Sequence, residues 1–574
     1  MIRRLAGLVA GLTMALAAHA ASAQPATGDW LGGLAVSPAM TVHIAIHIHK
    51  DAAGAEAGTF DSLDEAVYGV PLTDIADTGG SLSFAIARLH ATFAGKWDAA
   101  GGQWTGQWSQ GGRSLPLTLA AGQIPDAPTV AGLDGDWDGA LTVGPGLKLR
   151  LALHVETGPH GTVARLHSID QQSTVAVSSL SHTGDKVRVG FQVLAAAFEG
   201  VFDAKSQAMT GTWSQGGQDL PLVLTRRVAG QAEAVLKRPQ TPVKPYPYRE
   251  EEVTFDDAAG QVKLAGTLTL PQGAGPFPAV VLVAGSGPNT RNEPIMAHQL
   301  FLVLADHLTR HGIAVLRYDK RGVGASTGDY AKATTQDFAN DADAAAAWLR
   351  GRKEIDPAKV GLIGHSEGGL IVPMVAVADP RIDFIVMMAG PGVDGEKVLS
   401  EQGRLISKAM GLSAETVAKS SAVRDQLIAI VRAEPDPAVA AVKMRAVMAG
   451  PAKAQGMSDA AIDAQIAVLN TDWFRYFFNY DPAPGLRKVR QPVLAMIGSK
   501  DLQVPPDQNL PALRAALTHN PDAEIDELPS LNHLFQTAKT GAIGEYGEIE
   551  ETIAPVALDT MTVWIVKHVG PPAH

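Results

Sequence analysis

A serine stands between glycines in the run Gly364-His365-Ser366-Glu367-Gly368, which has the G-x-S-x-G pattern of a nucleophile elbow. An apolar run at residues 360–363 precedes it and a helix-like stretch follows, so the serine lies at a sharp turn between strand and helix. Glycines at the flanking positions let strand and helix approach closely enough to expose the serine hydroxyl. In a chain with 59 glycines the pattern can also arise by chance, so the serine's chemical partners decide its meaning.

A serine hydroxyl is a weak nucleophile unless a neighbouring base takes its proton, and a carboxylate must hold that base in the right tautomer. Asp501 follows the strand-like residues 492–498, and His533 lies in a loop after the strand-like residues 525–528. We therefore predict Ser366 as the nucleophile, His533 as the base and Asp501 as its partner, in the chain order of α/β-hydrolases.

Three other residues are weaker candidates for these roles. Asp507 lies in a proline-rich turn and is expected to be a surface carboxylate, while His519 and His568 lie in helix-like or terminal stretches.

Acyl transfer also needs donors for the developing oxyanion. The backbone N–H of Glu367 is the first predicted donor, and the loop at residues 285–288 supplies the second, from Ser286 or else Gly287. The Glu367 side chain either orients the turn or faces the substrate, and the orienting role is favoured.

Polar residues near the predicted site allow two interpretations. Arg291 and Glu293, just past the oxyanion loop, either meet a polar group of the substrate or belong to a solvated loop. Asp319 and Arg321 are expected to tie neighbouring loops together rather than to contact substrate.

The C-terminal part of the chain alternates apolar runs with helix-like stretches, which predicts an α/β fold with a mostly parallel sheet covered on both faces. Functional residues should then lie at the carboxyl ends of its strands. An alanine-rich insertion at residues 391–489 is predicted to form a helical cap. Its aromatic run at residues 473–478 predicts either an acyl-chain wall or core packing of the cap, with Trp473, Phe474 and Phe477 as the candidates.

The N-terminal part contains an internal repeat. Residues 28–120 and 132–227 share matched Gly-Asp-Trp, Trp-Ser-Gln-Gly-Gly and Leu-Pro-Leu runs, and apolar residues alternate within each copy. This pattern predicts two all-β modules, each a sandwich or barrel. Their tryptophans are expected in the core rather than on a ligand-stacking face. His43, His47 and His49 share one strand face, but without an accompanying carboxylate pattern we predict no metal site.

The remaining features concern targeting and partners. A positive n-region, an apolar run and an A-x-A site predict a signal peptide at residues 1–23, and hence a periplasmic or secreted protein. Residues 228–247 are proline-rich and predict a semi-rigid linker before the α/β domain at residues 248–574. A net charge of −12 argues against nucleic acid as a partner, no later run is long enough to span a membrane, and the absence of cysteine excludes disulfides and thiol nucleophiles.

Five blocks occurring in order resemble the α/β-hydrolase superfamily: residues 280–288, 317–326, 364–369, 498–501 and 531–533. More narrowly, they are similar to bacterial carboxylesterases that carry an extra N-terminal β domain and are related to the serine aminopeptidase branch. The resemblance implies hydrolysis of a small-molecule ester without a metal or organic cofactor. One departure is Ala284, which stands where many members have a histidine.

The sequence leaves two alternatives to ester hydrolysis open. An aminopeptidase or amidase would share the triad and add an acidic anchor, for which Glu293 or Glu367 could serve. The β repeats could instead bind envelope glycan or lipid, with hydrolysis as a secondary activity.

Overall fold

The computed structural model describes residues 26–570 except 38–39, 52–53, 66, 90, 111–112, 125–126, 145–146, 159–160, 217, 229, 234–235, 455–456 and 458. The predicted signal peptide at residues 1–23 lies outside these residues. The chain divides into two compact units, one formed by residues up to 124 apart from 64–66, and the other by the remainder. Within the described helices, none is long and apolar enough to cross a membrane.

The first unit is an antiparallel sheet whose described strands are β1 (Gly28–Ser37), β2 (Met40–Lys50), β3 (Glu56–Ser62), β4 (Val67–Pro71), β5 (Thr73–Asp77), β6 (Ser81–Ile86), β7 (Ala91–Asp98), β8 (Gln103–Gln110) and β9 (Arg113–Ala121). The spatial order is β4-β3-β2-β1-β9-β8-β7-β6-β5, so the first and last strands pair at the centre. Strands β3 and β5 also contact each other, and the sheet therefore curls around its apolar face.

The second module repeats this plan strand for strand, with β10 (Gly135–Gly144), β11 (Leu147–Gly158), β12 (Gly161–Ser168), β13 (Ser173–Ala176), β14 (Ser179–Thr183), β15 (Lys186–Phe191), β16 (Ala196–Asp203), β17 (Ala208–Gln215) and β18 (Gln218–Arg226). Its strand order is β13-β12-β11-β10-β18-β17-β16-β15-β14, which matches the first module position by position. The all-β prediction for this part of the chain is confirmed, because the strand alternation places one face of each sheet in an apolar core.

The repeated tryptophans lie in these cores rather than on a binding face. Trp30 and Trp137 occupy equivalent positions on β1 and β10, and each donates its indole N–H to a backbone carbonyl four residues earlier. Trp108 and Trp213 are likewise buried at equivalent positions. A glycan- or lipid-binding role for the modules thus gains no support from these rings and stays a prediction.

One histidine of β2, His47, is accompanied by carboxylates that the sequence pattern did not reveal. His47 lies between two carboxylates, with Nδ1 2.7 Å from Asp29 and Nε2 3.2 Å from Asp61. Burial lowers the pKa of His47, but the hydrogen bonds and charges of these carboxylates outweigh that effect and raise it. No group of three or more metal-ligating side chains is found in the described part of the chain.

The proline-rich segment at residues 228–247 has no helix or strand among its described residues, yet it is bound along the domain that follows. The Arg238 guanidinium donates to the carbonyl oxygens of Met296, Gly547 and Ile549, at 2.9 to 3.1 Å. Gln240 exchanges hydrogen bonds with the backbone of Ile553. These bonds make the segment part of the surface of the domain rather than a free spacer.

The C-terminal domain is built on a mostly parallel sheet, described here with β19 (Arg249–Asp257), β20 (Val262–Leu270), β21 (Phe277–Val283), β24 (Ala314–Tyr318), β25 (Ile355–His365), β26 (Ile385–Met388), β27 (Val493–Gly498) and β28 (Ala523–Leu528). Between β21 and β24 lies a small hairpin, β22 (Pro294–Ile295) and β23 (His298–Gln299). The main sheet has the order β19-β20-β24-β21-β25-β26-β27-β28, and β20 runs antiparallel to both of its neighbours while the other strand pairs are parallel. The sequence did not reveal β19, an edge strand rich in acidic residues, where burial imposes little hydrophobic pattern.

Helices cover both faces of this sheet, with bounds α1 (Leu300–Arg310), α2 (Thr335–Arg350), α3 (Glu367–Ala378), α10 (Pro506–Ala516), α11 (Ile543–Tyr546) and α12 (Pro555–Val569). Helices α2, α3 and α10 share one apolar cluster with the sheet, while α1 and α12 share another on the opposite face. Strand β21 is buried at every position, as expected of a strand covered on both sides. The α/β prediction is confirmed by this layering.

A helical insertion between β26 and β27 contains α4 (Gly395–Ala409), α5 (Ala414–Ala433), α6 (Pro437–Ala454), α7 (Asp459–Leu469), α8 (Asp472–Asn479) and α9 (Ala483–Leu486). These helices fall within the alanine-rich residues 391–489. The insertion has its own apolar cluster, which includes Leu427, Met444, Ile466 and Phe478. It is therefore a packed helical layer and not an extended loop.

Candidate active site

Ser366 lies at the sharp turn between β25 and α3. Its φ of 54° and ψ of −115° fall in a region that residues with a side chain rarely adopt. The turn is tight because a Cβ on Gly364 would lie 2.0 Å from the carbonyl oxygen of Gly368. A Cβ on Gly368 would lie 1.9 Å from the carbonyl oxygen of Val283. Gly364 is thus required for β25 and α3 to meet at this serine, and Gly368 for α3 to approach β21.

Asp501 and His533 follow the carboxyl ends of β27 and β28, and a hydrogen bond joins their side chains. His533 Nδ1 lies 2.8 Å from Asp501 Oδ2, and both side chains are buried. The other carboxylate oxygen, Oδ1, accepts the backbone N–H groups of Gln503 and Val504, each at 2.8 Å. Because a carboxylate oxygen accepts hydrogen bonds, this geometry suits donation from Nδ1, which orients the ring and directs Nε2 away from Asp501.

His365 connects the turn at Ser366 to the loop that carries His533. Its Nε2 donates to the carbonyl oxygen of His533 at 3.0 Å, and the two imidazole rings lie 5.0 Å apart. Its Nδ1 lies 3.0 Å from Oε1 of Glu293, which is also buried. Burial lowers the pKa of His365, but the adjacent Glu293 carboxylate outweighs this effect and raises it above the usual value. This buried histidine–glutamate pair therefore packs between the turn at Ser366 and the loop that carries His533.

The loop after β21 is held by hydrogen bonds to both the N–H and the carbonyl oxygen of Gly285. The carbonyl oxygen of Gly285 accepts from Lys320 Nζ at 2.7 Å and from Asn289 Nδ2 at 2.9 Å, while the N–H of Gly285 donates to Glu293 at 2.6 Å. The N–H of Ser286 belongs to the same planar peptide as the Gly285 carbonyl, so its direction is set by Lys320 and Asn289.

The neighbouring Gly287 is placed differently. It has a φ of 102°, and its backbone hydrogen-bonds the hydroxyl of Tyr330. Burial is the main cause that raises the pKa of Tyr330 to about 12, so this hydroxyl stays protonated in the working range of an enzyme. Ser286, and not Gly287, lines the cavity beside Ser366.

The Glu367 side chain is the centre of a buried network. Its Oε2 accepts from Lys320 Nζ at 3.1 Å, and its Oε1 accepts from Thr335 Oγ1 at 2.8 Å and Trp473 Nε1 at 2.6 Å. Lys320 also lies 4.2 Å above the ring of Phe338. This one carboxylate thus joins the turn at Ser366, the loop after β21, α2 and the helical insertion.

Residues 259–525 match a family model described as X-Pro dipeptidyl-peptidase (S15 family). The esterase EstD of Thermotoga maritima is 28% identical over 332 residues, which cover 57% of this chain and 69% of EstD. This chain is an α/β-hydrolase that resembles bacterial esterases.

Two solved structures similar to this chain carry the names of different enzymes, an esterase and a peptidase. The esterase Pf2001 of Pyrococcus furiosus is 16% identical, with 56% of this chain and 91% of that chain covered and a TM-score of 0.34. Proline iminopeptidase of Mycobacterium smegmatis is 19% identical, with 55% and 98% covered and a TM-score of 0.35.

A cavity of about 50 Å³ lies beside Ser366 in the hydrolase. Its described lining combines the turn and the loop after β21 with the helical insertion: Ser286, Ser366, Glu367, Pro391, Val398, Leu399, Gln402, Trp473, Phe477, Gln503 and Val504. Trp473 and Phe477 stack with their ring centroids 5.0 Å apart. Of the aromatic residues predicted for the pocket, Phe474 faces a neighbouring cavity inside the insertion instead.

The two polar pocket residues predicted after the oxyanion loop have other roles in the hydrolase. Arg291 pairs with Asp319 at 2.8 Å and also binds Thr267 and Glu252. Glu293 binds His365 and the backbone of Gly285. Neither is among the described residues that line the cavity beside Ser366, because both are committed to ion pairs that hold loops in place.

The scaffold interpretation of Asp319 and Arg321 agrees with the contacts of both side chains. Burial raises the pKa of Asp319, but hydrogen bonds from Arg291 outweigh this and lower it. Arg321 binds Asp341 at 2.7 and 2.8 Å and Asp257 at 3.1 Å. Lys320, which lies between them in sequence, was not predicted as a site residue. Its position just after the carboxyl end of β24, where functional residues of such sheets lie, could have indicated it.

Proposed function

We propose that this hydrolase cleaves carboxylic esters, with Ser366 as nucleophile, His533 as general base and Asp501 as the carboxylate that orients it. The observation that supports this proposal is the buried Asp501–His533 pair, together with Ser366 on a strained turn whose preceding residue, His365, donates a hydrogen bond to the backbone carbonyl of His533.

In the proposed first half-reaction, His533 Nε2 takes the Ser366 hydroxyl proton as Oγ attacks the ester carbonyl. The backbone N–H groups of Glu367 and Ser286 donate to the oxyanion, which collapses as the ester bond breaks and His533 returns the proton to the leaving alcohol. In the second half-reaction water gives a proton to His533 as it attacks the acyl-enzyme carbonyl; the bond to Ser366 Oγ then breaks, His533 returns the proton to Oγ, and the acid is released. No step needs a metal or an organic cofactor.

The helical insertion serves in this proposal as a cap over the site. It contributes Val398, Leu399, Gln402, Trp473 and Phe477 to the cavity beside Ser366, so it limits which substrates reach the serine.

An aminopeptidase or amidase is the second candidate, and the match to a peptidase family model favours it. Such an enzyme needs a carboxylate free to bind the substrate's amine. Among the described residues lining the cavity, the one carboxylate is Glu367, whose oxygens are bound by Lys320, Thr335 and Trp473. We therefore favour the ester substrate.

The test is hydrolysis of p-nitrophenyl esters beside a panel of aminoacyl p-nitroanilides. Ser366→Ala and His533→Ala should each lower kcat at least about 10³-fold, and Asp501→Asn somewhat less. The exposed residues His519 and Asp507 provide matched controls, and His519→Ala and Asp507→Asn should keep wild-type rates. Preference for anilides over esters would instead establish the peptidase.

Export is a further part of the proposal. A signal peptide at residues 1–23 predicts a mature chain that starts at Gln24 in the periplasm or medium. N-terminal sequencing of the protein recovered from each cell fraction tests this, and an intact Met1 on the active enzyme would contradict it.

A further inference from the structure

A large apolar cavity lies inside the helical insertion. Its volume is about 390 Å³, and its walls come from α4, α5 and the segment up to α8, with Ile406, Leu427, Ile428, Val431 and Phe478 among the lining residues. For scale, an engineered apolar cavity of about 150 Å³ in another protein holds benzene. The cavity in the insertion is therefore large enough for a substantial hydrocarbon group.

This cavity adjoins the one at Ser366. Leu399 and Gln402, on successive turns of α4, line both cavities. Gln402 is held at this boundary by a 3.2 Å hydrogen bond from its Nε2 to Gln503, two residues beyond Asp501. Leu399 and Gln402 thus mark the boundary between the two cavities.

The cavity beside Ser366 is much smaller than the apolar cavity in the insertion, and this difference bears on the size of the substrate. The cavity beside Ser366 holds about 50 Å³, a third of the volume that accommodates benzene, so it suits only the first few carbons of an acyl group. A longer acyl group bound at Ser366 must continue elsewhere, and the apolar cavity beyond Leu399 and Gln402 is adjacent.

A third cavity, of about 650 Å³, adjoins the cavity of about 390 Å³. It shares Ser420, Arg424, Leu427 and Leu469 with the cavity of about 390 Å³. Arg424 is the charged residue at this junction, and its guanidinium donates to the carbonyl oxygen of Ser400 and to Ser421 Oγ.

We propose that the insertion cavity is the acyl-chain site of the enzyme, and that the substrates are esters of medium- and long-chain fatty acids of about eight carbons or more. This inference rests on the proposed ester hydrolysis at Ser366. Burial of each methylene along the cavity should raise kcat/KM about fourfold until the chain fills it.

The test compares kcat/KM for p-nitrophenyl butyrate and dodecanoate. Wild-type enzyme should prefer the dodecanoate by at least tenfold. Ser407→Trp places an indole into the cavity from a half-buried position on α4, and it should lower kcat/KM for dodecanoate at least tenfold while butyrate stays within twofold. Val442→Trp is the matched control, since Val442 is 72% exposed on α6 of the same insertion and lines none of these cavities.

Two additions keep the outcome clear. Ser420→Trp, at an exposed position on α5 where the second and third cavities meet, repeats the test if Ser407→Trp fails to fold by circular dichroism. Sodium dodecanoate should inhibit butyrate hydrolysis less strongly in Ser407→Trp and Ser420→Trp, the variants whose indole fills the cavity, and equally strongly in Val442→Trp.

The outcomes separate the two proposals. Butyrate hydrolysis with no preference for longer chains, or filled variants that lose both substrates equally, would overturn the acyl-site inference and leave ester hydrolysis standing. If the wild-type enzyme hydrolyses none of these esters, the proposal of ester hydrolysis itself is wrong.

Discussion

The indole Nε1 of Trp473 donates a 2.6 Å hydrogen bond to Oε1 of Glu367, the residue directly after Ser366. The two residues are 106 positions apart in sequence, one in the helical insertion and one at the start of α3. The insertion is thereby tied to the turn that presents the serine, and its position is coupled to the backbone N–H proposed to bind the oxyanion.

Trp473→Phe should keep the ring in place and remove this hydrogen bond. Hydrogen bonds to charged groups contribute about 1.5 to 3 kcal/mol, so we expect kcat/KM for esters to fall roughly tenfold or more. The measurement is steady-state kinetics together with thermal unfolding. Trp348→Phe, a half-buried tryptophan on α2 that stacks near Phe255, is the control and should leave kcat/KM unchanged. Equal kinetics for both variants would show that the bond does not position the turn.

Lys320→Met should be strongly destabilising, because it leaves the buried Glu367 carboxylate without its cation. Removing one partner of a buried ion pair costs about 3 to 5 kcal/mol in the free energy of unfolding. Adding Glu367→Gln should recover part of the loss, and urea unfolding of the four proteins in this double-mutant cycle measures the coupling. Lys332→Met, whose side chain is 81% exposed, should change stability little. Additive effects of the two changes would contradict the coupling.

The buried pair of His365 and Glu293 should make stability depend on pH. The pKa of His365 is raised above 6.5 in the folded protein, so the folded state binds this proton more tightly than the unfolded state. The stabilisation is therefore complete below pH 6.5 and is lost as the pH rises through the folded pKa. Urea unfolding between pH 6 and 9 measures it, and Glu293→Gln, which removes the carboxylate charge, should flatten this dependence. An unchanged slope in that variant would assign the pH dependence to other groups.

The glycines around Ser366 should not tolerate even one methyl group. A Cβ on Gly364 or Gly368 would lie within 2.0 Å of a backbone oxygen, so Gly364→Ala and Gly368→Ala should each cost at least about 3 kcal/mol or prevent folding. Gly450→Ala is the matched control, because a Cβ there meets no other atom within 4 Å and the site is helical. It should stabilise the protein by about 0.5 to 1 kcal/mol. Thermal unfolding compares them, and similar melting temperatures for the three variants would contradict the close packing.

Much of the architecture was readable from local sequence patterns. Alternating apolar residues and the matched tryptophan runs predicted two all-β modules, and continuous apolar runs such as those of β21 and β27 predicted buried parallel strands. Strand β19 was missed because an edge strand rich in acidic residues lacks the apolar pattern that burial imposes. The aromatic run at residues 473–478 predicted core or pocket without separating them, since a hydrophobic ring suits either environment. In the structure Trp473 and Phe477 line the cavity beside Ser366. Phe478 is buried in the apolar cluster of the insertion and lines its cavity of about 390 Å³.

The sequence by itself determined the order of elements and the positions of Ser366, Asp501 and His533 at strand ends, because hydrophobic period and glycine spacing are local properties. Only the tertiary structure decided which distant side chains meet. It committed Arg291 and Glu293 to ion pairs, placed Lys320 and Trp473 on the Glu367 carboxylate, and set the insertion cavities beside Ser366. The physical reason is that the partner of a charged group or an indole N–H depends on which distant surface packs against it, and local sequence periodicity carries no information about that packing.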